Sequence, residues 1–267
     1  MGADIKQLRV RIKSVDSTRH LTKAMGLVAS SKIRKSTEAM RQSQSYAGAL
    51  QKVVDCLSLS KECQSLSFMK PTAGEKLLLV VIAGDRGLAG GYNANVFRFL
   101  RDYQPQTVFA VGKRACERFG QPIQLAEHFS SLDAKAMAEE ICRRFAAGEV
   151  DKVGIVYTKH HSMMSQETSI TYLLPLEKAQ SESTSAMIFE PDEATILEQV
   201  IPLYVAGRIM ACVKESVASE VAARRVAMDA ADKNAQEMLS GLHLQYNRAR
   251  QGSITQEITE IVAGSNA

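Results

Sequence analysis

Proline placement constrains this chain most. Its six prolines are Pro71, Pro105, Pro122, Pro175, Pro191 and Pro202, so none falls in 1–70 or 203–267. A proline inside a helix removes a hydrogen bond and clashes with the preceding turn, at about 3 kcal/mol. Both ends of the 267-residue chain are therefore free to form long helices, and the middle is punctuated like a domain of short elements. Charge divides in the same way. Residues 1–70 carry 13 basic and 5 acidic side chains, residues 71–202 carry 13 and 17, and residues 203–267 carry 7 of each. A basic N-terminal segment thus accompanies a mildly acidic middle.

The ends carry coiled-coil patterning. Alternating steps of three and four from Ile5 give Ile5, Leu8, Ile12, Val15, Arg19, Thr22, Gly26, Ala29, Ile33, Ser36, Met40, Ser43, Ala47, Leu50, Val54 and Leu57, of which eleven are apolar. A repeat near 3.5 residues marks a narrow helix–helix seam, and its exceptions cluster at 19–26. The C-terminal segment repeats similarly through Met210, Val213, Val217 and Val221. After a break at Arg224-Arg225 it resumes at Met228, Ala231, Ala235, Met238, Leu242, Tyr246 and Ala249, then Ile254, Ile258 and Ile261. Helices of about 55–65 residues would be roughly 80–100 Å long. The alternative is a series of shorter helices broken at Gly26, Gly48, Gly207 and Gly241. At about 1 kcal/mol per glycine, long helices paired antiparallel are the expectation.

The middle alternates strands and helices. Lys76–Ile82, Thr107–Val111 and Lys152–Tyr157 read as strands, and Ser165–Leu174 as a longer edge or antiparallel strand. Helices fit Asn93–Tyr103, Lys113–Phe119 and Ala134–Ala147. Such alternation implies a mainly parallel sheet covered by helices. Ser181–Ser185 reads as a polar loop, and Pro191-Asp192-Glu193 as a helix start. The expected fold is α/β with long helical arms: a Rossmann-like central domain over 71–202, and an antiparallel coiled coil of segments 1–70 and 203–267.

Candidate chemistry is sparse. The loop Ala83-Gly84-Asp85-Arg86-Gly87-Leu88-Ala89-Gly90-Gly91-Tyr92-Asn93 joins a strand to a helix, where phosphates are often cradled. It lacks a Gly-Lys-Ser/Thr step and GxGxxG spacing, and Asp85 would repel a phosphate, so a tight turn is the plainer reading. His160-His161 has no further ligands in a metal-binding pattern. Five widely spaced cysteines without a CxxC read as reduced thiols. No catalytic triad stands out, and no apolar run approaches the roughly 20 residues of a membrane span. The start has no apolar leader region. The basic residues Arg9, Arg11, Lys13, Arg19, Lys23, Lys32, Arg34, Lys35 and Arg41 lack aromatic interleaving, so a solvated face or an acidic protein partner stands beside nucleic acid.

Three blocks carry a resemblance. Thr22-Lys23-Ala24-Met25 with Val28-Ala29-Ser30-Ser31-Lys32-Ile33-Arg34-Lys35 resembles the opening helix of the gamma subunit of rotary F-type ATP synthases. Asp85 to Asn93 resembles that family's central glycine motif. Ala218-Ser219-Glu220, Ala227 to Ala231, Tyr246-Asn247-Arg248-Ala249-Arg250-Gln251 and Ser253 to Gly264 resemble its C-terminal helix. The resemblance implies a non-catalytic rotor without a cofactor or metal. Its coiled coil would turn inside a ring of alpha and beta subunits, and its α/β domain would touch the epsilon subunit and the membrane-embedded c-ring. By matched position, Lys23 and Met25 meet the acidic lever of the beta subunit. Arg250, Gln251, Thr255 and Glu257 meet the beta catch loops, and Glu190, in Phe189-Glu190-Pro191-Asp192, meets the c-ring. The implied location is peripheral, on the cytoplasmic side of a bacterial cell membrane, with no nucleic-acid partner. Two departures stand out: Ala89 replaces a cysteine common in the glycine motif, and Gly26 replaces a bulkier residue. A nucleotide-dependent α/β enzyme with coiled-coil arms and a nucleic-acid-binding coiled coil are the alternatives.

Overall fold

The two proline-poor ends each form one helix. In the computed structural model, which describes residues 2–70, 74–179 and 189–265, α1 runs Gly2–Ser58 and a second long helix runs Glu193–Ser265. Between them lie β1 (Leu77–Ile82), α2 (Tyr92–Phe99), β2 (Thr107–Val111), α3 (Lys113–Phe119), α4 (Ser131–Ala146), β3 (Lys152–His160) and β4 (Gln166–Leu174), so the C-terminal helix is α5. Pro71 and the expected loop Ser181–Ser185 lie outside the described residues. The chain packs as two compact units, Met1–Ser30 with Arg224–Ala267 and Ser31–Ala223.

The seam of α1 is as expected. None of its sixteen positions is fully exposed, and up to Ala24 the six from Ile5 to Thr22 are the only covered residues among those described. Gly26, Gly48, Gly207 and Gly241 all lie inside unbroken helix. The seam of α5 departs from expectation at Met238. Met238 is 48% exposed, and its neighbour Leu239, 7% exposed, takes the buried place. Counting Leu239 keeps the three/four alternation through Ala235, Leu239, Leu242, Tyr246 and Ala249. The break expected at Arg224-Arg225 falls where α5 passes from one compact unit to the other.

The seam exception at Arg19 has a local cause. Its Nε donates to the Asp232 carboxylate at 3.2 Å and its Nη2 to Gln236. A polar pair at a seam position is a familiar means of fixing helix register. Nearer the end, Arg9 donates to the Tyr246 hydroxyl at 2.9 Å and lies 5.8 Å from the ring centroid.

Several boundaries differ from expectation, among them α2, expected over Asn93–Tyr103, which spans Tyr92–Phe99 before a short turn at Leu100–Asp102. Helix α1 ends at Ser58, followed by short turns at Cys63–Ser65 and Ser67–Met69, and does not continue to residue 70. Helix α5 begins at Glu193, at the start expected from Pro191-Asp192-Glu193, but it runs on through Pro202 with no boundary at 203. Asp192 initiates it by accepting from the Thr195 amide at 2.8 Å. Leu197, Ile201, Tyr204 and Val205 around Pro202 are buried, and at about 1.5–3 kcal/mol per large apolar side chain their packing offsets the proline. Helix α4 begins at Ser131 rather than Ala134, because Ser130 and Asp133 form a reciprocal capping box.

The sheet has the order β2-β1-β3-β4, with β1 parallel to both neighbours and β4 antiparallel on the edge. Alternation along the strands splits the core. Leu78, Val80, Ile82, Val153, Ile155 and Tyr157 face one side with α4, the end of α1 and the first turns of α5. Leu79, Val81 and Val156 face the other with α2 and α3. One stretch of α5 reaches a mean hydropathy of 1.5 over 18 residues, but half of it is buried inside the fold. That apolarity belongs to a core helix. All five cysteines are unpaired, and burial pushes the thiols of Cys142 and Cys212 up to about 12.

Candidate functional site at the sheet–helix junction and the α5 end

Strand β3 outlasts its neighbour. Its pairing with β1 stops at Val156, opposite Val81, yet the strand continues to His160. The backbone beyond would face an empty edge, and buried unpaired amides are costly. Helix α5 supplies the missing partners. The Thr158 amide donates to Ser216 Oγ at 3.2 Å, Ser219 Oγ donates to the Thr158 carbonyl at 3.1 Å, and the His160 amide donates to Glu215 at 3.0 Å. The Tyr92 hydroxyl, at the head of α2, donates to the Ser216 carbonyl at 3.0 Å. That phenol is fully buried, which raises its pKa.

The glycine-rich loop after β1 is fastened to the same helix. Glu220, 5% exposed, accepts from the amides of Asp85 and Arg86, each at 3.2 Å. Asp85 in turn accepts from the amides of Lys113, Ala126 and Glu127 at 3.1, 2.9 and 2.8 Å. The loop amides of Asp85 and Arg86 are thus occupied by Glu220, and that of Gly84 by Asn93 Oδ1 at 2.8 Å. Two glycines make this geometry accessible. A Cβ on Gly84 would lie 2.9 Å from the Glu220 carboxyl carbon, and one on Gly112, at φ +91°, would lie 1.9 Å from the Ala83 carbonyl oxygen. Leu88 sits at φ +60° with 62% exposure, a strained backbone at the loop tip.

The other residues singled out from sequence lie apart from this junction. Lys23 is exposed on α1 and pairs with no carboxylate among the described residues, while Met25 beside it is half-buried. Gly26 meets Met228 and the Arg225–Asp229 ion pair across the seam. Arg250, Gln251, Thr255 and Glu257 are all exposed on α5. Thr255 donates to the Gln251 carbonyl, and Glu257 accepts from Ser253 Oγ.

Helix register explains their exposure. Arg9 meets Tyr246, so the start of α1 at Gly2 falls opposite about residue 253 of the antiparallel α5. Beyond that point α1 supplies no facing turn among the described residues. Ile254, Ile258, Ile261 and Val262 are 47, 55, 71 and 53% exposed. At 100° per residue, Arg250, Ile254, Glu257, Ile258 and Ile261 share one face, and Gln251 and Thr255 flank it. Sequence periodicity had placed Ile254, Ile258 and Ile261 in the seam. They continue its spacing, but the partner helix has run out.

Glu190 is exposed in the segment leading into α5, next to Pro191 in a cis peptide. His161 pairs with Glu167 at 3.1 Å, and among the described residues no group of three or more ligating side chains could hold a metal. Of the basic residues on α1, Arg9, Arg19 and Lys32 bind partners within the chain, to Tyr246, Asp232 and Glu127 respectively.

Comparison with known proteins gives one answer. The ATP synthase family matches residues 4–267. The ATP synthase gamma chain of Ruminococcus albus is 39% identical over 98% of both chains, and that of Geobacter metallireducens is 35% identical over 99% of both. Among solved structures, a chain in the Euglena gracilis mitochondrial ATP synthase OSCP/F1/c-ring structure superposes with a TM-score of 0.70 at 20% identity, over 100% of this chain and 95% of that one. A chain of the Tetrahymena thermophila central stalk/c-ring structure superposes at 0.62 with 24% identity, over 79% and 99%. At those identities the likeness speaks for the fold.

Proposed function

The chain belongs to the family of ATP synthase gamma chains, and from that premise we propose how its parts work as a central-stalk rotor. Catalysis lies on the beta subunits, and this subunit couples them to the turning c-ring. Segments 1–70 and 203–267 act as the shaft, and 71–202 as the foot beside the epsilon subunit and the c-ring. The carrying observation is that α5, whose last turns expose Ile254, Ile258 and Ile261, is tied to the sheet through Glu215, Ser216, Ser219 and Glu220. Torque applied to the foot would reach α5 through buried hydrogen bonds, which resist shear better than loose surface contacts.

In this reading the exposed face with Arg250 and Glu257, flanked by Gln251 and Thr255, meets the catch loops of the beta subunits. Lys23 and Met25 meet their acidic levers, and Glu190 meets the loops of the c-ring. As the shaft turns, unequal contacts favour a different conformation in each catalytic subunit, a population shift driven by differential affinity. Exposed charges such as Lys23 suit a sliding contact, because they are screened within about 8–10 Å at ordinary ionic strength. The ion moved is a proton or sodium, and the complex sits on the cytoplasmic side of a bacterial membrane.

The test is co-assembly with alpha, beta and epsilon subunits and the c-ring in vesicles. Arg250→Ala with Gln251→Ala should leave the complex assembled but lower ATP-driven ion pumping per ATP hydrolysed. Lys23→Gln should change the ATPase rate at low salt, with the difference shrinking as salt rises. Unaltered coupling in the first variant, or salt-independent identity in the second, rejects these assignments.

A further inference from the structure

Outside the junction, one cavity gathers charge. It measures about 300 Å³ and lies among α1, α5 and the loop before α4. Lys32, Lys35 and Lys214 line it with His128, against the single carboxylate of Glu127. Val217 and Val221 contribute an apolar wall. Lys32 is neutralised by Glu127, whose carboxyl is held below the usual range chiefly by that hydrogen bond. Lys35 has no acidic partner among the described residues, and the Lys214 ammonium donates only to the Phe129 carbonyl, at 3.0 Å.

A structural ion-pair site would balance its charges. Here three ammonium groups and an imidazole face one carboxylate in a half-enclosed space, an arrangement that raises the local potential for anions. Partial burial makes the imbalance costlier: desolvation alone lowers the pKa of Lys214. A bound anion would relieve it. The volume exceeds what one phosphate fills, and the three ammonium groups suit an anion with charge spread over several oxygens.

We propose that this cavity is a binding site for an oligophosphate, either free or as the tail of a nucleotide, held by Lys35 and Lys214 with Lys32 and His128. The site is separate from the glycine loop, where Glu220 and Asn93 occupy the amides of Asp85, Arg86 and Gly84. It is also independent of the contacts assigned to Lys23 and the α5 end, so its failure would leave that reading untouched.

A lysine of lowered basicity beside a phosphate subsite reacts selectively with pyridoxal phosphate, and borohydride reduction fixes the adduct. Full-length chain is labelled in this way and mapped by peptide mass spectrometry. Lys214 should be labelled at least fivefold above the exposed Lys6 and Lys13. Replacing the reagent with pyridoxal, which lacks the phosphate, should remove the preference. Tripolyphosphate should protect Lys214, and Lys35→Gln, an exposed change that leaves the fold intact, should weaken both labelling and protection severalfold. Protection by ADP at lower concentration than tripolyphosphate identifies a nucleotide as the source, and the reverse order identifies free oligophosphate. Labelling no greater than at Lys6, equal labelling by pyridoxal, or equal protection by sulfate would overturn the proposal.

Discussion

Replacing Glu220 with alanine should loosen the glycine loop from α5 without unfolding the sheet. The carboxylate is buried and accepts from two amides at 3.2 Å. Hydrogen bonds to a charged acceptor contribute about 1.5–3 kcal/mol each. At this rather long distance the lower figure applies, so losing both costs about 3 kcal/mol. The effect is local, because the apolar faces of β1 and β3 are untouched. Hydrogen exchange read by mass spectrometry on the assembled complex is the suitable assay, since it reports opening segment by segment. At 1.4 kcal/mol per factor of ten, amides at Asp85 and Arg86 should exchange about 100-fold faster in Glu220→Ala. Glu220→Gln keeps one acceptor oxygen and should fall between. Strand β1 should remain protected in both. Unchanged exchange at 85–86 in the alanine variant would refute the claim that Glu220 fastens the loop.

Other consequences follow from single contacts. Gly26→Ala places a Cβ 3.4 Å from Arg225 Nη1 and 3.5 Å from Met228 Cβ, ordinary contact distances, so the gain in helix propensity of about 1 kcal/mol should raise the thermal midpoint by a few degrees. Gly112→Ala meets the Ala83 carbonyl head-on at a positive φ, and should cost about 3 kcal/mol or more, visible as lost soluble yield and a lowered melt. Lys32→Gln should return the Glu127 carboxyl toward its ordinary range in an NMR titration. Because that carboxyl is depressed in the fold, the pair's stabilisation is present above about pH 4.3 and is lost as pH falls through the folded value. With both side chains 40% exposed, the difference between variants should stay below about 0.5 kcal/mol.

Much of the fold was legible because it rests on local periodicity. The α1 seam needed only the three/four alternation, and β2 and α3 match their expected limits, Thr107–Val111 and Lys113–Phe119. Misses arose where distant residues decide. Met238 and Leu239 are adjacent and both apolar, and only the facing helix chooses between them. Pro202 argued for a boundary, but buried side chains around it carry the helix through. Strand β3 extends to His160 because α5 supplies partners for its bare edge, which no window around Tyr157 reveals. For the candidate site, the sequence showed that the glycine loop lacks phosphate-binding spacing and that Asp85 is awkward there. It could not show that Glu220, 135 residues away from Asp85, occupies the loop's amides. Exposure of the α5 end follows from register against α1, again a matter of pairing rather than pattern.

The central claim is that this chain turns relative to the catalytic ring. It is tested most directly by immobilising a complex of alpha, beta and this subunit through the ring and attaching a bead to Met164→Cys. Met164 is 77% exposed on the turn between β3 and β4. With ATP the bead should rotate in one direction, pausing at fixed angles as the catalytic sites of the ring fire in sequence. A bead that stays still or only fluctuates while the same complexes hydrolyse ATP would contradict the account.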